Sequence, residues 1–330
     1  MATIKDVARL AGVSISTVSR AFSGKIYVEP ATRKRIFDAA QELAYAPNHI
    51  ARTLKEGKSK MIALLVPNFE NDIWPEIALG IEEEARKKDF IVILCNTQES
   101  VEVEKRYIDR LRSNSVDGFI IAPALDNTET LFALSEAGIP TVSVLRGHKG
   151  LSDIVYMDNY DMGYKATDYL LQRNHRRILM VVGNTKIDLF RQRMEGYRAA
   201  LRDFGIAQKD SLVISISQDP HDIYERVTEV LRTHSDVDAV FTSSDPQAVC
   251  VIRAIKDLGY SIPGDISVIG IDNIPISAML EPPLTTMDQP LQEIGKAAAL
   301  QLIHRIETQD KGDFTEKCFQ SKLHIRQSTR

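Results

Sequence analysis

The chain has 330 residues, 44% of them apolar, and a formal charge of −4. That length supports more than one core, the composition excludes a low-complexity chain, and no apolar run reaches membrane-spanning length. The first residues lack the charged and apolar regions of a secretory signal, which implies a cytoplasmic protein; Cys95, Cys250 and Cys318, an odd number without metal-ligand spacing, read as buried thiols with no metal site and no disulfide.

Thr3 followed by Asp6 resembles a capping box at the start of a first helix, with Ile4, Val7, Ala8 and Leu10 on one face. Gly12 permits a tight turn, and Ser14 can cap a second helix that exposes Ile15, Ser16, Thr17, Ser19 and Arg20 while Val18 and Phe22 turn inward. Glu29 and Pro30 open a third helix, in which Ile36, Phe37, Ala40, Leu43 and Ala44 recur at helical intervals. The spacing predicts a small all-α helix-turn-helix headpiece over residues 1–46. Residues 47–60 read as a hinge and linker, with a very short helix from Pro47 to Lys55 and Gly57 beyond it. So short a helix is marginal in water, so DNA or a partner subunit should be needed to order it.

Residues 1–60 hold eleven Lys or Arg against five acids, a balance of +6, so the remainder carries −10. The basic part can gain DNA affinity by counterion release, whereas the acidic part cannot.

From residue 61 short apolar runs alternate with amphipathic helices, as expected for parallel sheets covered on both faces. One set of strands is predicted at 61–66, 90–95, 117–122 and 140–144, separated by helices near 74–88, 101–114 and 128–137. A second set lies at 177–182, 212–216, 239–242 and 266–269, with helices near 161–173, 190–204, 221–233 and 246–258.

The headpiece carries a dense motif at Thr3, Ile4, Asp6, Val7, Ala8, Ala11, Gly12, Val13, Ser14, Thr17, Val18, Ser19 and Arg20. It resembles the DNA-binding domain of the lactose-repressor (LacI/GalR) family of bacterial transcription regulators. The resemblance implies that Ile15, Ser16 and Arg20 read bases in the major groove. Arg20 suits a bidentate pair with guanine, whose loss typically costs about 1–3 kcal/mol of discrimination. Thr3, Ser14, Thr17 and Ser19 are assigned to phosphate contact or to helix capping, either of which a hydroxyl can perform. In the hinge, Asn48, Arg52 and Lys55 are assigned to DNA, and Leu54 matches the leucine that wedges into a central base step in this family; its plain alternative is packing against the next domain.

The remaining chain resembles the family's effector domain, whose two-lobed α/β fold is shared with periplasmic sugar-binding proteins. The matching pieces are Val116-Asp117-Gly118, Gly138-Ile139-Pro140, Arg193 with Gly196, Tyr197, Ala200 and Leu201, Ile269 to Asn273, Leu284-Thr285-Thr286 with Gln289-Pro290, and Arg326 to Thr329. The resemblance places lobe N at about 61–160 and 291–320 and lobe C at about 161–290 and 321–330. Crossings fall near 160, 290 and 321, with a ligand held between the lobes. Open α/β sheets independently bind ligands beyond the carboxyl ends of their strands. The candidates there are Ile73, Trp74, Arg146, Arg193, Asp245 and Asp272, which suit a polyhydroxyl or mixed-polarity ligand such as a sugar or sugar derivative. For Arg193 and Asp272 the alternative is a structural ion pair, and for Trp74 it is the core. Leu145-Arg146 replaces the Asp-Arg found in many relatives, so one hydroxyl-binding carboxylate is absent and an anionic ligand group comes into consideration.

The motifs of nucleotide-dependent enzymes, zinc proteases and serine hydrolases are absent. The expected protein is no enzyme and needs no cofactor. It is a regulator that binds a near-palindromic operator as a homodimer, with DNA affinity controlled by a small molecule. A periplasmic solute-binding protein would account for residues 61–330 and leave the headpiece motif without a use. Tetramerising family members carry an extra carboxyl-terminal helix that this chain does not display, which favours the dimer.

Overall fold

The computed structural model describes residues 2–23, 26–45, 58–113, 116–207, 212–216, 219–310 and 312–330. They belong to two compact units, Met1–Ser59 and Lys60–Arg330. The hinge residues Asn48, Arg52, Leu54 and Lys55 lie outside the described residues.

In the first unit α1 (Ile4–Ala11), α2 (Ile15–Ser23) and α3 (Pro30–Glu42) pack around one another. The Thr3 main-chain N–H and hydroxyl donate to the Asp6 carboxylate at 2.9 and 2.7 Å, fixing the first turn of α1. Gly12, at φ 67°, ends α1 in the left-handed conformation that favours glycine. Ser14 Oγ then accepts the Thr17 N–H at 3.1 Å and caps α2. Val7, Val18 and Ile36 are fully buried at the centre, ringed by alanines from all three helices. Three expected core residues lie outside it, the first being Leu10, which is exposed near the end of α1. Phe37 is exposed and stacks edge-on against Phe22 at a centroid distance of 5.0 Å, while Ala44 lies beyond the end of α3 with φ 47°. The inward ridge of α3 is formed by Ile36, Ala39 and Ala40, so a residue one position off that ridge faces out.

The second unit contains two six-stranded sheets. Lobe N holds β1 (Met61–Val66), β2 (Ile91–Asn96), β3 (Gly118–Ile121), β4 (Thr141–Val144), β5 (Asp153–Met157) and β11 (Glu316–Phe319). Lobe C holds β6 (Ile178–Val182), β7 (Val213–Ser215), β8 (Ala239–Thr242), β9 (Ser267–Asp272), β10 (Thr285–Asp288) and β12 (Leu323–His324). The orders β2-β1-β3-β4-β5-β11 and β7-β6-β8-β9-β10-β12 are equivalent, except that β11 runs parallel to β5 whereas β12 is antiparallel to β10. Central strands such as β1, Met-Ile-Ala-Leu-Leu-Val, are continuously apolar because helices cover both faces.

Helices α4 (Ile73–Lys87), α5 (Val101–Leu111), α6 (Thr128–Glu136) and α11 (Leu291–Thr308) pack on lobe N. Helices α7 (Asn159–Gln172), α8 (Asp188–Asp203), α9 (Pro220–Thr233) and α10 (Asp245–Asp257) pack on lobe C. The chain passes between the lobes after Met157, around Gln289 and Pro290, and between Phe319 and Leu323. Beyond the strands expected from sequence, the fold adds β5, β10, β11, β12 and helix α11. The last of these buries residues on most of its circumference and so shows little polar contrast. Arg305 of α11 reaches β5 and pairs with Asp153 through two bonds of 2.9 Å.

Each lobe joins two helices at backbone contact. A Cβ on Gly80 of α4 would lie 2.0 Å from the Gln292 carbonyl oxygen of α11, and one on Gly295 would lie 2.1 Å from that of Ile77. In lobe C the same exchange occurs between Gly163 of α7 and Gly196 of α8, each 2.1 Å from an opposing carbonyl oxygen. Of the three thiols, Cys95 is buried, Cys250 half-buried and Cys318 exposed, correcting the expectation that all are buried: β11 is an edge strand, and its outer face meets solvent. No helix among the described residues is long and apolar enough to cross a membrane.

Candidate functional site

Two places carry functional chemistry. On the first unit, α2 presents Ile15, Ser16 and Arg20 outward while Val18 and Ala21 enter the core. An exposed isoleucine beside serine and arginine on one helix face makes a surface fitted for base edges and methyl groups. Ser14 lies at its start with its hydroxyl shared among the Thr17 N–H and the hydroxyls of Ser16 and Thr17, the latter two at 2.7 Å. Ser14 therefore serves as the cap, and Thr17 and Ser19 are half-buried. Thr3 is exposed, although its hydroxyl is engaged by Asp6.

The second place is a small cleft between the lobes, partly open to solvent. Of the six cleft candidates, Ile73, Trp74, Arg146, Arg193 and Asp272 line it. Trp74 also belongs to the core, being 3% exposed, so the core reading holds and the residue lies at the cleft wall as well. Arg146 is buried rather than solvated: its Nη1 donates to Glu99 at 2.7 Å and its guanidinium lies 6.0 Å from the Trp74 ring centroid. Arg193 donates from Nε to Asn159 at 2.9 Å and from Nη1 to the Ser243 carbonyl. Burial draws its guanidinium below the usual value, opposed by the negative charges of Asp272 and Asp245.

Asp245 is the exception. Its side chain is fully buried behind the cleft wall, where it accepts from Thr286 Oγ1 at 2.7 Å, the Asn273 N–H at 2.8 Å and Ser277 Oγ. Opening helix α10 from a strand end left two directions for this carboxylate, and three converging donors turn it inward. Burial pushes the Asp245 carboxyl above the usual carboxylate range, with the charge of neighbouring Asp272 adding to it. Asp272 is likewise pushed up by burial, partly offset by Arg193 and by Gln289, whose Nε2 donates at 2.6 Å.

Sequence reasoning missed Asn159, Gln289 and Phe190, which also line the cleft. Asn159 and Gln289 lie on two of the crossings, and Gln289 stands in the Thr-Thr-x-x-Gln-Pro stretch, which was the available signal. Two buried atoms of lining residues, Arg146 Nε and Gln289 Oε1, have no hydrogen-bond partner among the described residues. The lining residue Leu145 takes left-handed backbone at φ 59°, and Glu99, Asn273, Leu125 and Asp126, which bond to or follow cleft residues and their neighbours, do so with φ between 50° and 57°. Such strain concentrates at binding sites.

Residues 3–48 match the family described as bacterial regulatory proteins, lacI family, and residues 59–323 match the periplasmic binding proteins and sugar binding domain of LacI family. The chain belongs to the lacI family of bacterial regulators. It is 32% identical to the HTH-type transcriptional repressor PurR of Actinobacillus pleuropneumoniae, over 100% of this chain and 99% of that one. It is 33% identical to the ribose operon repressor of Halalkalibacterium halodurans, over 100% and 98% of the two chains. A crystal structure of a LacI family regulator from Enterococcus faecium with bound ribose superposes with a TM-score of 0.73 at 30% identity, covering 82% of this chain and 98% of the other. The regulator is thus a helix-turn-helix DNA-binding transcription factor with a small-molecule effector domain.

Proposed function

We propose that the regulator is a cytoplasmic repressor, not an enzyme, that binds a near-palindromic operator as a homodimer and whose effector is a sugar or sugar derivative held in the interlobe cleft. The unpaired Arg146 Nε and Gln289 Oε1 carry this reading, because they give a buried cleft one donor and one acceptor for hydroxyl groups. Trp74 and Phe190 add ring faces that suit the apolar face of a sugar, and Arg193, Asp272 and Asn159 supply charge-assisted hydrogen bonds. Leu145 replaces a polar contact with an apolar wall, which favours a ligand carrying fewer hydroxyls on that side.

On DNA, Ile15, Ser16 and Arg20 read the major groove, Thr3, Ser14, Thr17 and Ser19 position the helix, and Asn48, Arg52, Leu54 and Lys55 engage the centre of the operator, with Leu54 as the wedge. The dimer is supported by apolar side chains left exposed on lobe N, Leu79 of α4 with Ile91 and Leu94 of edge strand β2.

The experiment is a thermal-shift panel on the full chain with sugars, sugar phosphates, sugar acids, nucleobases and amino acids. A ligand at ~100 times its Kd adds roughly 2.7 kcal/mol to the folded state. Stabilisation by a sugar-class ligand is expected, and a response to nucleobases alone would refute the sugar reading. Arg20→Ala should weaken binding to a selected operator by about 1–3 kcal/mol while sparing unrelated duplexes; equal loss on both would make Arg20 a phosphate contact.

A further inference from the structure

Asp126 follows β3 in lobe N, in a loop where Leu125 and Asp126 take left-handed backbone at φ 50° and 56°. Its Oδ2 accepts the main-chain N–H of Asp188 at 2.6 Å, and Asp188 is the first residue of α8 in lobe C. Helix α8 has no cap of its own, because the residue before it is Ile187. The first N–H groups of a helix need an acceptor, and a carboxylate there is favoured by hydrogen bonding and by the helix dipole. Here that acceptor comes from the opposite lobe.

Glu99 holds the loop from behind. One of its carboxylate oxygens accepts the Leu125 N–H at 3.0 Å, and the other accepts Arg146 Nη1 at 2.7 Å. A connected path therefore runs from Arg146 through Glu99, Leu125 and Asp126 to α8, the helix that carries Phe190 and Arg193 to the cleft. Asp126 Oδ1 is buried with no hydrogen-bond partner among the described residues. Desolvating that oxygen is unfavourable, so the loop keeps this position because the contact with α8 holds it.

We propose that Asp126 is the closure latch of the cleft: it caps α8 across the lobe boundary while the lobes are shut, and it sets the fraction of molecules in the closed state. The proposal rests on the effector reading of the cleft, yet it can be tested with no effector present. Trp74 is the only tryptophan, lines the cleft and is 3% exposed, so its emission reports opening. In the ligand-free full chain, Asp126→Ala should raise acrylamide quenching of Trp74 and shift its emission to the red. Amide exchange at residues 188–190 should quicken about 5–30-fold, the range for a lost N-cap. Asp126→Asn, which keeps an acceptor oxygen, should stay near the parent protein.

Asp188→Pro removes the donor at the first helical position, where proline is tolerated, and should reproduce the opening even where Asp126→Ala fails to fold. Unchanged quenching in both variants overturns the latch. Faster exchange without added quenching also overturns it, because Asp126 would then be only a local cap. A flat effector panel leaves these readouts standing, so the two readings fail separately.

Discussion

The two lobes share one strand order and one way of packing helices, yet a buried charged site in lobe N, around Asp153, and one in lobe C, around Asp245 and Asp272, are arranged in opposite ways. In lobe N, Asp153 meets Arg305 in a two-bond ion pair and accepts both the N–H and the hydroxyl of Thr315, so burial is more than offset and its carboxyl is held below the usual range. In lobe C, Asp245 and Asp272 are buried against one another with Arg193 as the neighbouring cation, and both carboxyls are pushed up. A fold can thus be kept while one copy uses a buried charge to hold a strand to a helix and the other sets two buried carboxyls at and behind the wall of the interlobe cleft. With both carboxyls raised, the lobe C pair is the less favourable of the two near neutral pH.

The sharpest way to break this contrast is Arg193→Ala. It removes the positive charge that partly offsets the burial of Asp272 and the bonds to Asn159 and the Ser243 carbonyl, and should lower stability together with the response to any effector. Chemical denaturation and the thermal-shift panel measure the two losses, and an intact ligand shift would remove Arg193 from the site.

The next test uses pH, because these two sites should respond with opposite sign. Asp153, with its folded pKa depressed, contributes stability that is present above the unfolded carboxylate value of ~3.9 and is lost as pH falls through the folded value. Asp245 and Asp272, with folded values raised, are most favourable below ~3.9 and remove stability as pH rises from there toward their folded values. Asp245→Asn should therefore flatten the decline on the neutral side. Asp153→Asn should cost about 3 kcal/mol near neutrality, at the low end for a broken buried pair since Arg305 keeps three carbonyl acceptors, and little in strong acid. Parallel stability curves for the two variants would mean that the two sites do not differ in this way.

The smallest expected effect is at Glu99. Glu99→Gln keeps one acceptor but loses the charge beside Arg146, and should weaken binding of a neutral sugar about five-fold by calorimetry while binding an acidic one better. Equal changes for both ligands would assign Glu99 to the loop alone.

The fold class was legible because its signals are local. Apolar runs of four to six residues alternating with amphipathic helices mark a covered parallel sheet, and Gly12 between two short helices marks the headpiece turn. Strands β11 and β12 were not legible: they are short, polar edge additions whose pairing is created by the third crossing. At the cleft, Ile73, Trp74, Arg146, Arg193 and Asp272 could be gathered in advance because each lies just beyond a strand end or opens a following helix. Asn159 could not, since it joins the others only when the crossings lie side by side, whereas Gln289 had a signal in the Thr-Thr-x-x-Gln-Pro stretch that was not turned into a site assignment. Asp245 shared the positional signal and still turned inward, because the direction of a side chain was decided by Ser277, Thr286 and Asn273, distant in sequence. Glu99 and Asp126 gave no periodic signal, being loop residues placed by left-handed backbone.

The paired glycines at the helix crossings have a consequence for how such regulators diverge. Gly80 and Gly295 set the spacing of the helix that carries Trp74, and Gly163 and Gly196 set that of the helix that carries Arg193. A side chain added at any of them would force backbones apart and shift one wall of the cleft without altering a single lining residue. Two descendants with identical linings could then answer to different molecules, and comparison of their contact residues would not reveal why.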